Sequence, residues 1–293
     1  MKIQSLSVCV PTDNKCVNSC KFCVSRLHTN PYENLFNKHQ NCFKADDELD
    51  YSKRLRFARD NGCNTVILTG TGEPIQNKPF LETFSKLNEA LPSPFLWVEI
   101  QTSGVMLDIE NLSFLRRKIG VNTISLSVSD IFSDEHNAEV VGIAPKLQFN
   151  LDKLCKDIKL MGFNLRLSLN LIDTYSHYTV EDIFRRVEEL GADQVTFRKL
   201  YNSGGEHEEI DTWIIENGLD DISIDYIKDY ITKKGTALNV LPFGATKYSV
   251  NGISTVVDED CMAETVKDTF KYLVLRENCK LYSDWSDKGS LIF

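Results

Sequence analysis

Long apolar runs are missing from this sequence of 293 residues, and no stretch approaches the roughly 20 apolar residues that a membrane-spanning helix needs. The amino terminus lacks the cationic segment followed by an apolar segment that marks a signal peptide. Lysine and arginine total 33 against 42 acidic residues, a net charge of −9. So acidic a chain is not expected to bind large nucleic acids or anionic membranes. We therefore expect a cytoplasmic protein with no membrane partner.

The density of cysteines typical of a disulfide scaffold is also missing, although the chain has nine of them. Three cysteines stand in apolar runs or at the ends of predicted elements: Cys9, Cys63 and Cys155. We interpret these three as packing residues in a buried core. Three others have no such simple explanation: Cys42, Cys261 and Cys279.

The remaining cysteines are concentrated in one short segment, CVNSCKFC, which spans residues 16–23 and contains Cys16, Cys20 and Cys23. Thiolates at this spacing can converge on one metal centre, and soft sulfur ligands suit zinc or an iron–sulfur cluster. A structural zinc site would need a fourth ligand. Three ligands without an obvious fourth favour an iron–sulfur cube that keeps one iron open for chemistry.

Strands and helices alternate over the first two thirds of the chain. The predicted strands cover residues 5–10, 65–69, 95–102, 121–128, 165–171 and 194–200, and the predicted helices cover 46–61, 80–91, 151–161 and 180–190. Residues 24–44 show little periodicity and are predicted to form a long loop. Alternating strands and helices predict βαβ units and a parallel sheet, hence an α/β fold.

Several of these strands alternate between apolar and polar residues. Leucines at 165, 167, 169 and 171 are interleaved with polar residues at 164, 166, 168 and 170. Successive side chains of a strand face opposite sides, so helices can cover the apolar face. The polar face must line water or a ligand, because burying unpaired polar groups costs about 1–3 kcal/mol each. The pattern therefore predicts a partial (β/α)6 barrel around a polar cavity, and the helices disfavour an antiparallel sheet.

After residue 200 the pattern changes. A polar loop at 202–209 is followed by a predicted helix at 223–234, a strand near Leu238, a hairpin that turns at Asn251-Gly252, and a strand pair at 270–275 and 280–282. We expect two units: a core partial barrel over residues 1–200, and a small α+β extension over residues 201–293.

The cysteine spacing, the βα units and the polar interior together resemble the radical S-adenosylmethionine (SAM) enzyme superfamily over about residues 6–200. Phe22, just before Cys23, matches the family pattern, in which this aromatic residue lies beside the adenine of SAM. The resemblance implies a 4Fe–4S cluster held by Cys16, Cys20 and Cys23, with SAM on the open iron. Reduction then cleaves SAM to a 5′-deoxyadenosyl radical that abstracts hydrogen from a substrate, and flavodoxin or ferredoxin supplies the electron.

The segment GTGEP at residues 70–74 corresponds to the family's Gly-Gly-Glu-Pro segment, which binds the amino group of SAM. Thr71 departs from that segment, since it stands at the first glycine. Independently of the family, Gly70 and Gly72 allow a ligand to approach the main chain closely, and Glu73 suits an ammonium group. An ordinary turn between a strand and a helix is the alternative.

By the same resemblance, polar residues near the strand ends contact the ribose and carboxylate of SAM: Gln101, Ser103, Ser125, Ser127, Asn170 and Arg198. Arg166 and Arg198 share the polar face of the predicted sheet. A buried arginine needs a partner, so a ligand carboxylate competes with a structural ion pair to Glu99.

The branch of the family that the chain most resembles contains the molybdopterin GTP cyclase and peptide-modifying enzymes, which implies a small-molecule, nucleotide or peptide substrate. The C-terminal part lacks a C-x2-C pair, so a second cluster would have to use Cys42, Cys261 or Cys279, and we expect a single cluster. Two alternatives stay open. One is a structural zinc site completed by His28, His39 or Cys42, and the other is a catalytically silent binding or regulatory protein.

Overall fold

The computed structural model describes residues 2–12, 16–27, 35–37, 39–44, 46–205, 207–241, 244–259, 269–285 and 288–293. Its strands are β1 Lys2–Cys9, β2 Phe36–Asn37, β3 Cys42–Phe43, β4 Thr65–Thr69, β5 Trp97–Thr102, β6 Thr123–Val128, β7 Asn164–Leu171, β8 Gln194–Lys199, β9 Thr236–Val240, β10 Thr246–Val250, β11 Ile253–Asp258, β12 Thr269–Leu275 and β13 Leu281–Tyr282. Its helices are α1 Val24–Leu27, α2 Asp47–Asp60, α3 Lys78–Glu89, α4 Ile109–Phe114, α5 Asp134–Val141, α6 Leu151–Leu160, α7 Val180–Glu189, α8 Glu208–Asn217 and α9 Asp221–Lys234.

One sheet of 11 strands organises the described residues, in the order β13-β12-β1-β4-β5-β6-β7-β8-β11-β10-β9. From β12 to β11 all neighbouring strands in this order are parallel. The predicted α/β fold with parallel strands is therefore confirmed. No helix among the described residues is both long and apolar enough to span a bilayer.

The two faces of the sheet differ in the way that the sequence predicts. Leu165, Leu167 and Leu169 of β7 are fully buried in the main hydrophobic core. Helices supply the other side of this core: in α7, for example, Ile183 and Phe184 are buried, and the Thr179 hydroxyl caps the helix start by accepting from the Asp182 N–H.

The polar residues form layers on the other face. Arg166 stands beside Gln194, Ser168 beside Thr196, and Asn170 beside Arg198 in the register of β7 and β8. Since the register preserves this polar alternation from strand to strand, the sheet encloses a polar interior.

The strands after residue 200 join the core sheet at both of its edges. β11 pairs with β8, and β12 pairs with β1, both in parallel. The predicted hairpin at Asn251-Gly252 is present between β10 and β11, and the predicted strand pair is β12 and β13. The division of the chain into a core over residues 1–200 and an α+β extension over residues 201–293 stays a prediction.

Several short elements were not predicted from the sequence. In the segment predicted as a long loop, the described residues include α1 and a hairpin of β2 and β3, in which Phe36 and Phe43 pack against Phe80. The helices α4, α5 and α8 were also missed. Two-residue strands and helices of one or two turns hold too few residues to show a period. Helix α8 is longer, but only Asp211 and Ile214 of it are buried.

Candidate cofactor site

The cysteine segment begins where β1 delivers the chain to the carboxyl edge of the parallel strands. The Val10 N–H donates to the Thr69 carbonyl at 2.7 Å, and Val10 is completely buried. Cys16, Cys20 and Cys23 follow on this loop, and all three side chains are half-buried. In open α/β folds this edge is the usual position of ligands.

Three parts of the fold hold the cysteine loop. The Gln76 side chain accepts a hydrogen bond from the Val17 N–H at 3.3 Å, and the Asn18 amide donates to the Ser103 hydroxyl at 2.7 Å. At the end of α5, the Val141 carbonyl accepts from the Ser19 N–H at 3.2 Å. The loop is therefore positioned by the turn after β4, the loop after β5 and the end of α5.

The three thiols influence one another. Burial raises the pKa of Cys20 to about 12, and the neighbouring Cys23, Cys16 and Glu73 add to the rise. Burial also raises the pKa of Cys16. Thiolates that share one loop are stabilised when they bind a metal cation.

The donor set fits an iron–sulfur cube. Among the described residues, no three His, Cys, Asp or Glu side chains converge closely enough to hold one metal ion. A 4Fe–4S cube does not require such convergence, because each thiolate binds a different iron atom. Three neighbouring thiolates on one anchored loop therefore match the cofactor that the sequence predicts.

Gly70 and Gly72 pack against the segment that leads into the cysteine loop. Gly70 has a φ of +155°, and a Cβ there would lie 2.7 Å from the Val10 carbonyl oxygen. A Cβ on Gly72 would lie 2.9 Å from the Thr12 hydroxyl oxygen. The glycines are thus required for close packing within the fold, a role that the sequence analysis did not foresee. Contacts from these residues and the half-buried Thr71 to SAM stay predictions.

Glu73 is buried and connects two loops. One carboxylate oxygen accepts from the Thr102 hydroxyl at 2.6 Å, and the other accepts from the Ser103 N–H at 2.7 Å. Burial raises the pKa of Glu73, and the hydrogen bonds from Thr102 and Ser103 oppose the rise. A carboxylate can accept about four hydrogen bonds, and the contact of Glu73 with the amino group of SAM stays a prediction.

The predicted SAM contacts on the strands share the polar face. The buried Asn170 amide donates to the hydroxyls of Ser127 and Ser129, at 3.1 and 3.2 Å. Ser125 is buried, and Gln101 lines the cavity described below. The structure brings these side chains to one face, and their contacts to SAM stay predictions.

Phe22 packs against Trp213 of α8, with ring centroids 5.9 Å apart and planes inclined by 33°. This contact connects the cysteine loop with a helix that lies beyond residue 200. The sequence analysis did not single out Trp213, because α8 has few buried residues to mark its inner face.

Arg166 forms the structural pair that was one of its two predicted alternatives. Its guanidinium group lies 2.7 Å from a carboxylate oxygen of Glu99, and it also donates to the Gln194 side chain. Arg198 is instead directed towards Asp258, with a nitrogen–oxygen distance of 4.0 Å.

A cavity of about 330 Å³ lies within the curved sheet. Ser25 and Gly70 line it near the cysteine loop, and Lys247, Asp258 and Lys271 line it on strands after residue 200. The sequence analysis missed these last three residues. The alternation of Ile253, Thr255 and Val257 with positions 254, 256 and 258 could have indicated Asp258, but not Lys247 or Lys271, which lie on other strands.

The other cysteines have separate environments. Cys9, Cys63 and Cys155 are buried, as predicted. Cys42 is half-buried in β3, 3.8 Å from the side-chain oxygen of Gln40. Cys279 is buried, and its thiol donates to the Asp47 carbonyl at 3.5 Å. Two residues considered as further ligands, Cys261 and His28, lie outside the described residues, and His39 is exposed.

A parallel half-barrel with a cysteine loop at its carboxyl edge is typical of a class of proteins that depend on a bound cofactor. In a comparison with known protein families, residues 10–146 match the model of the radical SAM superfamily. Residues 10–146 are therefore similar to a radical SAM domain. This result supports the two expected cofactors, a 4Fe–4S cluster and SAM. A search of curated protein sequences found no match.

Solved structures show the same fold at low sequence identity. SuiB from Streptococcus suis bound to S-adenosylmethionine is 16% identical, with a TM-score of 0.61 over 96% of this chain and 60% of that one. Native anSMEcpe with bound AdoMet is 13% identical, with a TM-score of 0.53 over 99% and 77%. HemN from Escherichia coli, a coproporphyrinogen III oxidase, is 18% identical, with a TM-score of 0.52 over 80% and 54%. The chain thus spans 60% of the length of SuiB.

Proposed function

We propose that this protein is a radical SAM enzyme that acts on a peptide. The wider class of possible substrates also includes nucleotides and other small polar molecules. One observation carries the proposal: the three-cysteine loop is held by three elements at the carboxyl edge of a polar half-barrel. When bound, the cluster and SAM supply a 5′-deoxyadenosyl radical that abstracts hydrogen from the substrate.

The chain's own residues then bind, orient and protect the reactants. Cys16, Cys20 and Cys23 hold the cluster, and Phe22 with Trp213 shields one side of the loop from water. The proposed SAM contacts are Phe22 and the segment Gly70, Thr71, Gly72 and Glu73, together with Gln101, Ser103, Ser125, Ser127, Asn170 and Arg198. Most of these residues face the polar interior or the loops at its carboxyl edge.

A peptide is favoured as substrate by two similar structures. One is SuiB bound to the precursor peptide SuiA, and the other is anSMEcpe bound to AdoMet and the Cp18Cys peptide. They are 16% and 12% identical to this chain, so their likeness supports the fold and only suggests the substrate. We further propose a cytoplasmic location, because thiolate ligands must stay reduced, and flavodoxin or ferredoxin as reductant.

Anaerobic reconstitution with iron and sulfide, followed by SAM and dithionite, tests the proposal. We expect about four iron atoms per chain and release of 5′-deoxyadenosine, detected by mass spectrometry. Cys20→Ala should abolish the release. The matched control is Cys42→Ala, which removes a half-buried thiol of strand β3, outside residues 16–23, and should leave the release unchanged. Zinc in place of iron in the protein as purified, or undiminished release by Cys20→Ala, would contradict the proposal.

A further inference from the structure

The described residues that line the cavity carry an excess of positive charge, although the whole chain has a net charge of −9. Four cationic side chains line it: Arg166, Arg198, Lys247 and Lys271. Two carboxylates lie within 4.0 Å of these cations among the described residues: Glu99 and Asp258. A cationic cavity inside an acidic protein attracts anions selectively, because low-dielectric walls concentrate its field.

Both carboxylates already form ion pairs with cationic side chains of the cavity. Glu99 holds Arg166 at 2.7 Å, at the end of the cavity where β5 and β7 begin. Asp258 lies 3.3 Å from the Lys271 nitrogen and 4.0 Å from the nearest Arg198 nitrogen. Asp258 is therefore shared between Lys271 and Arg198.

Lys247 on β10 has no carboxylate within 4.0 Å in the part of the chain that the structure describes. The antiparallel register of β10 and β11 places Tyr248 opposite Thr255, and Lys247 therefore lies beside Val256. Val256 also lines the cavity. Burial, and after it the charge of Arg166, lowers the pKa of Lys247. An ammonium group in such surroundings gains stability when an anion joins it.

Arg198 can also donate a further hydrogen bond to a ligand. Its Nε is buried and has no hydrogen-bond partner among the described residues. A buried donor without a partner is unfavourable, and an anionic ligand oxygen would satisfy it. Arg198 and Lys247 line the same cavity. They lie on β8 and β10, the two strands that flank β11.

We infer that Lys247 and Arg198 form a binding site for a carboxylate group of the substrate, such as the acidic side chain of a peptide, so that Arg198 contacts the substrate instead of SAM. This inference rests on the proposed function, because it places the site in the chamber that Ser25 and Gly70 line beside the cysteine loop. The carboxylate of a peptide would be held by charge-assisted hydrogen bonds, which are the strongest kind available to it. The acidic residue would thereby fix which part of the peptide faces the loop.

A pair of blocked amino acids tests the inference on the reconstituted holoenzyme. N-acetylglutamate methylamide and N-acetylglutamine methylamide differ only in the carboxylate, and isothermal titration calorimetry measures the affinity of each. We expect the glutamate compound to bind about tenfold more tightly. Lys247→Met should remove this preference, and Lys247→Arg, which keeps the charge, should retain most of it. The control is Lys156→Met, which neutralises an exposed lysine on the outer helix α6.

Equal affinity of the wild-type protein for the two compounds would overturn the inference, and so would an unchanged preference in Lys247→Met. The carboxylate of SAM is the other source of the same chemistry, and SAM affinity separates the two. If Lys247→Met loses SAM binding together with the preference, the anion is that of SAM and the inference fails. Failure of the proposed function is seen separately, as an absence of 5′-deoxyadenosine release by the wild-type holoenzyme.

Discussion

Asp258 and Lys271 connect the two edges of the parallel strands. Asp258 ends β11, which pairs with β8, and Lys271 lies in β12, which pairs with β1 at the other edge. Their side chains meet at 3.3 Å and are about one tenth exposed. Among the described residues β11 and β12 share no backbone ladder, so this ion pair bridges the edges across the cavity. The polar face of the sheet therefore forms the wall of the cavity.

The first prediction concerns this bridge. Because both side chains are largely buried, Asp258→Asn and Lys271→Met should each reduce the free energy of unfolding. A double-mutant cycle measured by urea denaturation should show a coupling of about 1–2 kcal/mol between them. Purely additive effects would mean that the pair does not contribute to closing the chamber.

The second prediction concerns Asn18, which is buried and donates to the Ser103 hydroxyl. Asn18→Ala keeps all three cysteines but removes one support of their loop. We expect the reconstituted variant to lose iron to a chelator about tenfold faster, since supporting residues commonly affect metal affinity by this amount or more. Asn111→Ala is the control, because Asn111 is also buried and hydrogen-bonded, but to the Met106 carbonyl away from the loop. Equal iron loss in both variants would show that Asn18 acts only through general stability.

The third prediction compares two helix-terminating glycines with positive φ. Gly142 has a φ of +66°, and a Cβ there would lie 2.8 Å from the Ser19 carbonyl oxygen; Gly120 has a φ of +79° and open space around it. Gly120→Ala should lower the free energy of unfolding by about 1 kcal/mol through backbone strain alone. Gly142→Ala should cost about 2–4 kcal/mol, because overpacking adds to the strain.

Iron content distinguishes the two positions further. We expect Gly142→Ala to incorporate less iron on reconstitution, because the added methyl group displaces the cysteine loop at Ser19. Gly120→Ala should incorporate the normal amount. Normal iron content in Gly142→Ala would show that the loop tolerates the displacement.

The fourth prediction concerns Asp211, in the first turn of α8. The Ser203 hydroxyl, followed by the N–H groups of Ser203, Gly205 and His207, lowers the pKa of Asp211 to about 2. A carboxyl group whose pKa is depressed in the folded state stabilises the protein above its ordinary pKa of about 3.9. That stabilisation is lost as the pH falls from about 4 to about 2.

Urea denaturation at several pH values measures this loss. Asp211→Asn should show a shallower decline in stability below pH 4 than the wild type. Ser203→Ala removes the largest contribution to the shift, so NMR titration of Asp211 should find a higher pKa in that variant. A wild-type decline no steeper than that of Asp211→Asn would assign the acid sensitivity to other groups.

Much of the fold was predictable because the relevant signals are local. The alternation of leucine with polar residues in β7 predicts a sheet with two unlike faces, since side-chain direction along a strand repeats every two residues. The spacing of Cys16, Cys20 and Cys23 predicts a shared centre because so short a segment cannot separate its thiols widely. The turn at Asn251-Gly252 was predictable for the same reason, as these residues readily adopt the backbone angles of a tight hairpin.

The sequence by itself therefore determined the parallel core, its polar face and the cysteine loop. Only the tertiary structure decided that β11 and β12 complete opposite edges, that Arg166 pairs with Glu99, and that Lys247 faces a cavity without a carboxylate partner among the described residues. These relationships join residues that are far apart in the chain; Arg166 and Glu99, for example, are separated by 67 positions. No local period encodes such pairings, because they depend on which strands become neighbours once the core has formed.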